Sequence, residues 1–116
     1  MIIDLNVPTK FYIVCGKTDL RKGIDTLASY IQTEFEMTPF NQALFFFCGN
    51  KQDRYKCLYW DNEGFWLLYK RFENGKLNWP RDEHIIRELN REQVDWLLKG
   101  FSIDRPIRRA TQRVII

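Results

Sequence analysis

Tyr55-Lys56-Cys57-Leu58-Tyr59-Trp60-Asp61-Asn62-Glu63-Gly64-Phe65-Trp66-Leu67-Leu68-Tyr69-Lys70-Arg71 decides the fold class. Two runs rich in aromatic and aliphatic residues flank a cluster of turn formers, the pattern of a β-hairpin. Gly64 at the fourth place of the turn suits a type I turn closed by a glycine bulge. That register sets Trp60 across from Trp66, Leu58 from Leu68 and Lys56 from Lys70. Tyr55, Cys57, Tyr59, Leu67, Tyr69 and Arg71 then share the opposite face, and a slip of one residue would exchange the faces of one strand. Downstream, Asn74-Gly75 makes a second tight turn into Lys76-Leu77-Asn78-Trp79, which Pro80 stops. The expectation is a three-stranded antiparallel meander over residues 55–79.

Upstream, Ala43-Leu44-Phe45-Phe46-Phe47-Cys48 is a continuous apolar run, too short for a stable helix and ended by Gly49-Asn50; it reads as a central strand followed by a polar loop over 49–54. Phe11-Tyr12-Ile13-Val14-Cys15, ended by Gly16, reads as a buried strand. Between these strands Leu20, Ile24, Leu27, Ala28, Ile31 and Phe35 recur at helical spacing, predicting a helix over about 19–36 with Thr18 or Asp19 as N-cap. Gly23 inside that helix would cost about 1 kcal/mol relative to Ala. Asn90-Arg91-Glu92-Gln93 has the form of a capping box, and Val94, Leu97, Leu98 and Phe101 form a stripe that predicts a short helix over about 91–99. Residues 82–89 fit an edge strand or a helical turn, and strand is favoured. The fold class expected is α+β: a small antiparallel sheet packed by one long and one short helix.

The chain has 116 residues, 45% of them hydrophobic and 28% charged, with no internal repeat and no apolar run as long as a membrane span. This describes one domain over 1–101, followed by a basic tail over 102–116 that holds Arg105, Arg108, Arg109 and Arg113. Eighteen basic against fifteen acidic side chains give a formal charge of +3, short of the strongly basic balance of a dedicated DNA binder. Cys15, Cys48 and Cys57 are odd in number and lack C-x-x-C spacing, so neither a disulfide framework nor a zinc site is indicated. Together with an N-terminus unlike a secretory signal, this predicts a cytoplasmic protein.

The search for catalytic chemistry finds little. His84 is the one histidine, which excludes a metal site built from several imidazoles within this chain, and cysteine catalysis would require it as the base. Gly16-Lys17-Thr18 imitates the end of a phosphate-binding loop, but the earlier glycine of that motif would fall at Phe11, inside a strand. Asp19, Asp25, Asp53, Asp61, Asp82 and Glu83 have local roles open to them as caps and turn formers. No catalytic residue, metal site or cofactor is expected. The interleaving of rings and cations in the hairpin has two readings. An open face would let cations meet phosphates while rings stack on exposed bases, and a covered face would use the rings as core and the lysines as edge protection.

Three blocks carry a resemblance to a known family: Cys15-Gly16-Lys17-Thr18-Asp19-Leu20-Arg21-Lys22-Gly23-Ile24-Asp25-Thr26-Leu27, then residues 56–72, then Trp79-Pro80 with Leu97-Leu98-Lys99-Gly100. Over about residues 5–101 the chain resembles the TnpB accessory proteins, products of the second open reading frame of IS66-type bacterial insertion sequences. Leu20, where Met is frequent, and Lys99, where an acidic residue is frequent, are small departures. The resemblance implies a non-enzymatic role in transposition, with a separate transposase and a second accessory protein as partners, and it transfers no catalytic residue. Contact with the DNA of the element ends is expected through Arg21, Lys22, Arg54, Lys56, Lys70 and Arg71. Trp60 and Trp66 are the candidate stacking or partner-anchor residues. The alternative is an adaptor that binds the transposase or the other accessory protein without touching DNA. Self-association is compatible with either, and no membrane partner is expected.

Overall fold

The computed structural model describes residues 10–100 together with Asp4, Val7, Pro8 and Ile103. The arginines expected to form a basic tail lie outside the described residues. Five strands and two helices follow one another as β1 (Lys10–Val14), α1 (Ile24–Phe35), β2 (Ala43–Phe47), β3 (Arg54–Trp60), β4 (Phe65–Arg71), β5 (Ile86–Leu89) and α2 (Arg91–Leu98). The strands form one sheet in the order β4-β3-β2-β1-β5.

The α+β class stands, but the sheet is mixed rather than a purely antiparallel meander. β1 and β2 pair in parallel, Phe11 beside Leu44 and Ile13 beside Phe46, while the other three pairings are antiparallel. A parallel pair needs a crossover, and α1 supplies it. All five residues of β2 are buried. Leu44 and Phe46 enter one core, and Ala43, Phe45 and Phe47 enter the other. A strand covered on both faces has no polar side to show, which accounts for its uninterrupted apolar run.

The third strand of the meander does not form. Residues 76–79 instead cross one face of the sheet, where Leu77 and Trp79 are each 3% exposed. The Leu77 amide donates to the Gln52 carbonyl at 2.5 Å and the Trp79 indole to the Val14 carbonyl at 2.9 Å. Burying the indole with its N–H satisfied outweighs adding one more strand to an edge. That place in the ladder falls elsewhere: β5, at the far edge, is the C-terminal half of the ambiguous 82–89 stretch, and Leu89 pairs with Phe11.

Helix α1 has 12 residues and is shorter than the periodicity predicted. Asp19 does not cap it. Its carboxylate accepts from the Arg21 amide at 3.0 Å and from the Arg21 guanidinium at 3.0 and 2.9 Å, holding residues 19–22 in a turn. Gly23 becomes the N-cap, so no glycine sits in the helix interior. Leu27, Ala28 and Ile31 are buried from α1 against one face of the sheet. The second helix matches its sequence signal: the Asn90 side chain accepts from the Gln93 amide at 2.8 Å, and the Gln93 side chain accepts from the Asn90 amide at 2.9 Å. Val94 and Leu97 press α2 onto the opposite face.

The hairpin is shifted by one residue from the expected register. Trp60 pairs with Phe65, Tyr59 with Trp66, Leu58 with Leu67, Lys56 with Tyr69, Tyr55 with Lys70 and Arg54 with Arg71. The reason is in the loop. Asp61 Oδ1 accepts from the amides of Glu63 and Gly64, both at 2.9 Å, and Asn62 takes the left-handed conformation at φ 79°. An Asx turn with Asn in that conformation closes four residues without a glycine bulge. With the extra residue gone, every β4 side chain lies on the face opposite to the expected one. Leu67 and Phe65 join the α1 core, Leu68 joins the α2 core, and Tyr69 and Arg71 lie beside Lys56 and Arg54.

Candidate nucleic-acid interface

The parallel pair places the ends of β1 and β2 side by side, so that the chain leaving Val14 and the chain leaving Phe47 run over the same end of the sheet. The loops are clasped there. The Thr18 amide donates to the Cys48 carbonyl at 2.7 Å, and Lys56 Nζ donates to the Lys22 carbonyl at 3.3 Å. A Cβ on Gly49 would stand 3.0 Å from the Thr18 carbonyl oxygen and 3.2 Å from Leu20 Cγ, so the approach of the two loops depends on glycine.

Between these loops and the start of the hairpin lies an open groove of about 1040 Å³. The loop after β1 contributes Lys17, Thr18, Asp19, Leu20 and Arg21. The loop after β2 contributes Gly49, Asn50 and Lys51, and the hairpin contributes Arg54, Lys56 and Tyr69. Five cationic side chains therefore face one carboxylate, Asp19. The Arg21 guanidinium beside Asp19 holds that carboxyl down at about 2, so the pair is charged at any working pH. Arg54 is similarly bound to Asp53, at 2.8 and 3.3 Å. Lys17 and Lys51 are exposed and form no ion pair among the described residues. Thr18 is 7% exposed, and its hydroxyl has no hydrogen-bond partner among the described residues.

The residues singled out from the sequence separate into groups. Arg21, Arg54 and Lys56 line the groove. Lys22 stands next to it, with Nζ 5.6 Å from the centre of the Tyr30 ring. Arg71 pairs across the ladder with Arg54, and its guanidinium holds Glu73 at 3.0 Å. Lys70 points to the other face, where Nζ donates to the Leu98 carbonyl at the end of α2 at 3.0 Å and stands 4.8 Å from the Phe72 ring centre. Trp66 is on that same face, half-exposed, with its indole donating to Asp61 at 2.8 Å. Trp60 is at the turn end of the α1 face, packed at 5.0 Å against both Phe40 and Phe65. The shifted register is the reason Lys56 and Lys70 do not act together.

Lys17, Lys51 and Tyr69 also line the groove and were not among the sequence candidates. Lys17 lies in the discarded phosphate-loop look-alike and Lys51 in an ordinary polar loop. Only the parallel pairing brings those loops together, at the carboxyl ends of adjacent parallel strands, where α/β sheets commonly form ligand sites.

The class defined by these features is a small α+β domain with a cationic, tyrosine-bearing groove at one end of a mixed sheet. A family model described as IS66 Orf2 like protein matches residues 9–108 of this chain, and the chain belongs to that family. The match extends beyond residue 101 into the arginine-containing segment. Two relatives come from Sinorhizobium fredii. The uncharacterized protein y4hO is 30% identical over 97 residues, covering 84% of each chain. The uncharacterized protein y4jC is 27% identical over 104 residues, covering 90% of this chain and 89% of its own. No solved structure matches.

Proposed function

We propose that this protein is a non-catalytic accessory factor in transposition of an IS66-type insertion sequence, and that it helps the transposase engage the element ends by contacting DNA through the groove. Family membership supports the accessory role. The observation that carries DNA contact is the convergence of Lys17, Arg21, Lys51, Arg54 and Lys56, from three separate segments, on one concavity. A chain of modest overall charge thereby concentrates positive potential at one place, where phosphates can release their counterions. Among the described residues no three His, Cys, Asp or Glu are grouped to hold a metal ion. Burial pushes the Cys48 thiol up to about 11 and the Cys57 thiol higher still, which disfavours thiolate nucleophiles. No helix among the described residues is long and apolar enough to cross a membrane.

The test is a fluorescence anisotropy titration of labelled element-end duplex and a scrambled duplex at about 50 and 200 mM salt. Combined Lys17→Ala and Lys51→Ala should weaken both duplexes about equally and flatten the salt dependence, because neither ammonium group has an ion-pair partner among the described residues. Lys70→Ala, on the other face, should leave affinity unchanged. If the wild type binds neither duplex at micromolar protein, the groove is not a site for duplex DNA.

A specific surface favours a second reading, the adaptor. Phe40 is half-exposed and clusters with Trp60 and Phe65 away from the groove, an aromatic patch of the kind that anchors protein interfaces. Co-purification of the transposase that survives nuclease and high salt, and is lost on Phe40→Ser, would establish that role.

A further inference from the structure

We infer that the groove is built for an unpaired nucleotide strand, with Tyr69 as the platform on which a base stacks; this rests on the nucleic-acid reading above and specifies its ligand. Tyr69 is 53% exposed on the edge strand β4, lines the groove, and makes no ring-to-ring contact among the described residues. It lies directly across the ladder from Lys56, whose neighbour on the same face of β3 is Arg54. An exposed aromatic ring beside two cations of the adjacent strand is not packed as core. It suits a nucleotide well, since the base finds a π-surface while its phosphates find Arg54 and Lys56 next to it.

The geometry separates a strand from a duplex. In a duplex each base face is covered by its neighbours, so a half-exposed ring inside a concavity has nothing to stack on. A single strand can turn its bases out into an open groove of this kind, of about 1040 Å³. Thr18 adds an independent sign. Its hydroxyl lacks a partner among the described residues, at a residue only 7% exposed, and it lines this same groove. A buried polar atom left unpaired costs stability unless something supplies the missing bond.

The experiment titrates the full chain with short fluorescein-labelled oligothymidylate, the matching thymidylate–adenylate duplex, oligouridylate and oligodeoxyuridylate. Oligothymidylate should bind more tightly than the duplex. Tyr69→Leu should weaken strand binding roughly thirtyfold, the middle of the range for loss of one stacked base, and leave the duplex unaffected. Tyr69→Phe should bind the strand as the wild type does. A circular dichroism melt of each variant reports its folding, and Tyr69→Thr, which removes the ring but keeps strand propensity, repeats the test if Tyr69→Leu is destabilised. Equal binding of oligouridylate identifies a strand site indifferent to the sugar, and binding weaker than that of oligodeoxyuridylate, which shares its base, identifies a DNA-strand site. Duplex binding equal to or tighter than strand binding, or strand binding insensitive to Tyr69→Leu, would overturn the inference while leaving duplex contact intact. Binding of no oligonucleotide at all would overturn the nucleic-acid reading with it.

Discussion

At Gly49 the main chain of one loop runs against another, and the absence of a side chain permits it. The Thr18 carbonyl and the Leu20 side chain are so near that a methyl group would have to displace backbone. Gly49→Ala should therefore destabilise the protein by about 1–3 kcal/mol, the usual cost of overpacking, as read from urea unfolding. Gly64 is the control, because nothing lies within 4 Å of a Cβ there and its φ is not positive. Gly64→Ala should leave the midpoint nearly unchanged. Gly49 was legible as the end of a strand, but its close neighbour, 31 residues earlier in the chain, was not. Thr18 shows the same limit from the other side: the sequence offered it as a helix cap, and the fold leaves its hydroxyl without a partner among the described residues.

Among the elements, those whose signals are local read correctly. Asn90 and Gln93 are three residues apart and satisfy each other's backbone amides, so the start of α2 needed nothing from the rest of the chain. Asn90→Ala should cost about 1 kcal/mol, measurable as a lowered denaturation midpoint. Since Leu97 buries α2 in the core, that loss should appear in the global transition rather than as local fraying. The start of α1 was misplaced because helical periodicity continues through Leu20 into a turn held by the Asp19–Arg21 pair. The hairpin register failed over a smaller matter. One side chain, Asp61, chose an Asx turn over a glycine bulge, and that exchanged the faces of β4. The strands were legible; which of their cations shared a face was not.

For the whole molecule, the sheet separates two apolar cores, and the weak acids in the one beneath α2 include Cys48, Cys57 and Tyr55. Burial raises all three, Cys48 from an ordinary 9.0 to about 11, and Cys57 and Tyr55 further. The folded protein keeps these protons where the unfolded chain releases them. Above about pH 9 the unfolded state binds fewer protons, so stability should fall as pH rises, through about 11 for Cys48 and beyond it for the others. Urea unfolding at about pH 8 and about pH 10 checks this: the midpoint should drop at the higher pH, and Cys57→Ala should give a shallower drop. The sequence by itself determined the composition of the strands, the capping of α2, the α+β class and the resemblance to the IS66 accessory family, because each of these depends on residues close in the chain or on matching blocks. Only the tertiary structure decided that β1 and β2 run parallel, that Trp79 fills a core in place of a third meander strand, and that Lys17, Lys51 and Tyr69 meet Arg54 and Lys56 in one groove. Those outcomes join segments tens of residues apart, and the competition between burying an indole, closing a crossover and pairing an edge is settled by packing the whole chain at once, where local propensity has no vote.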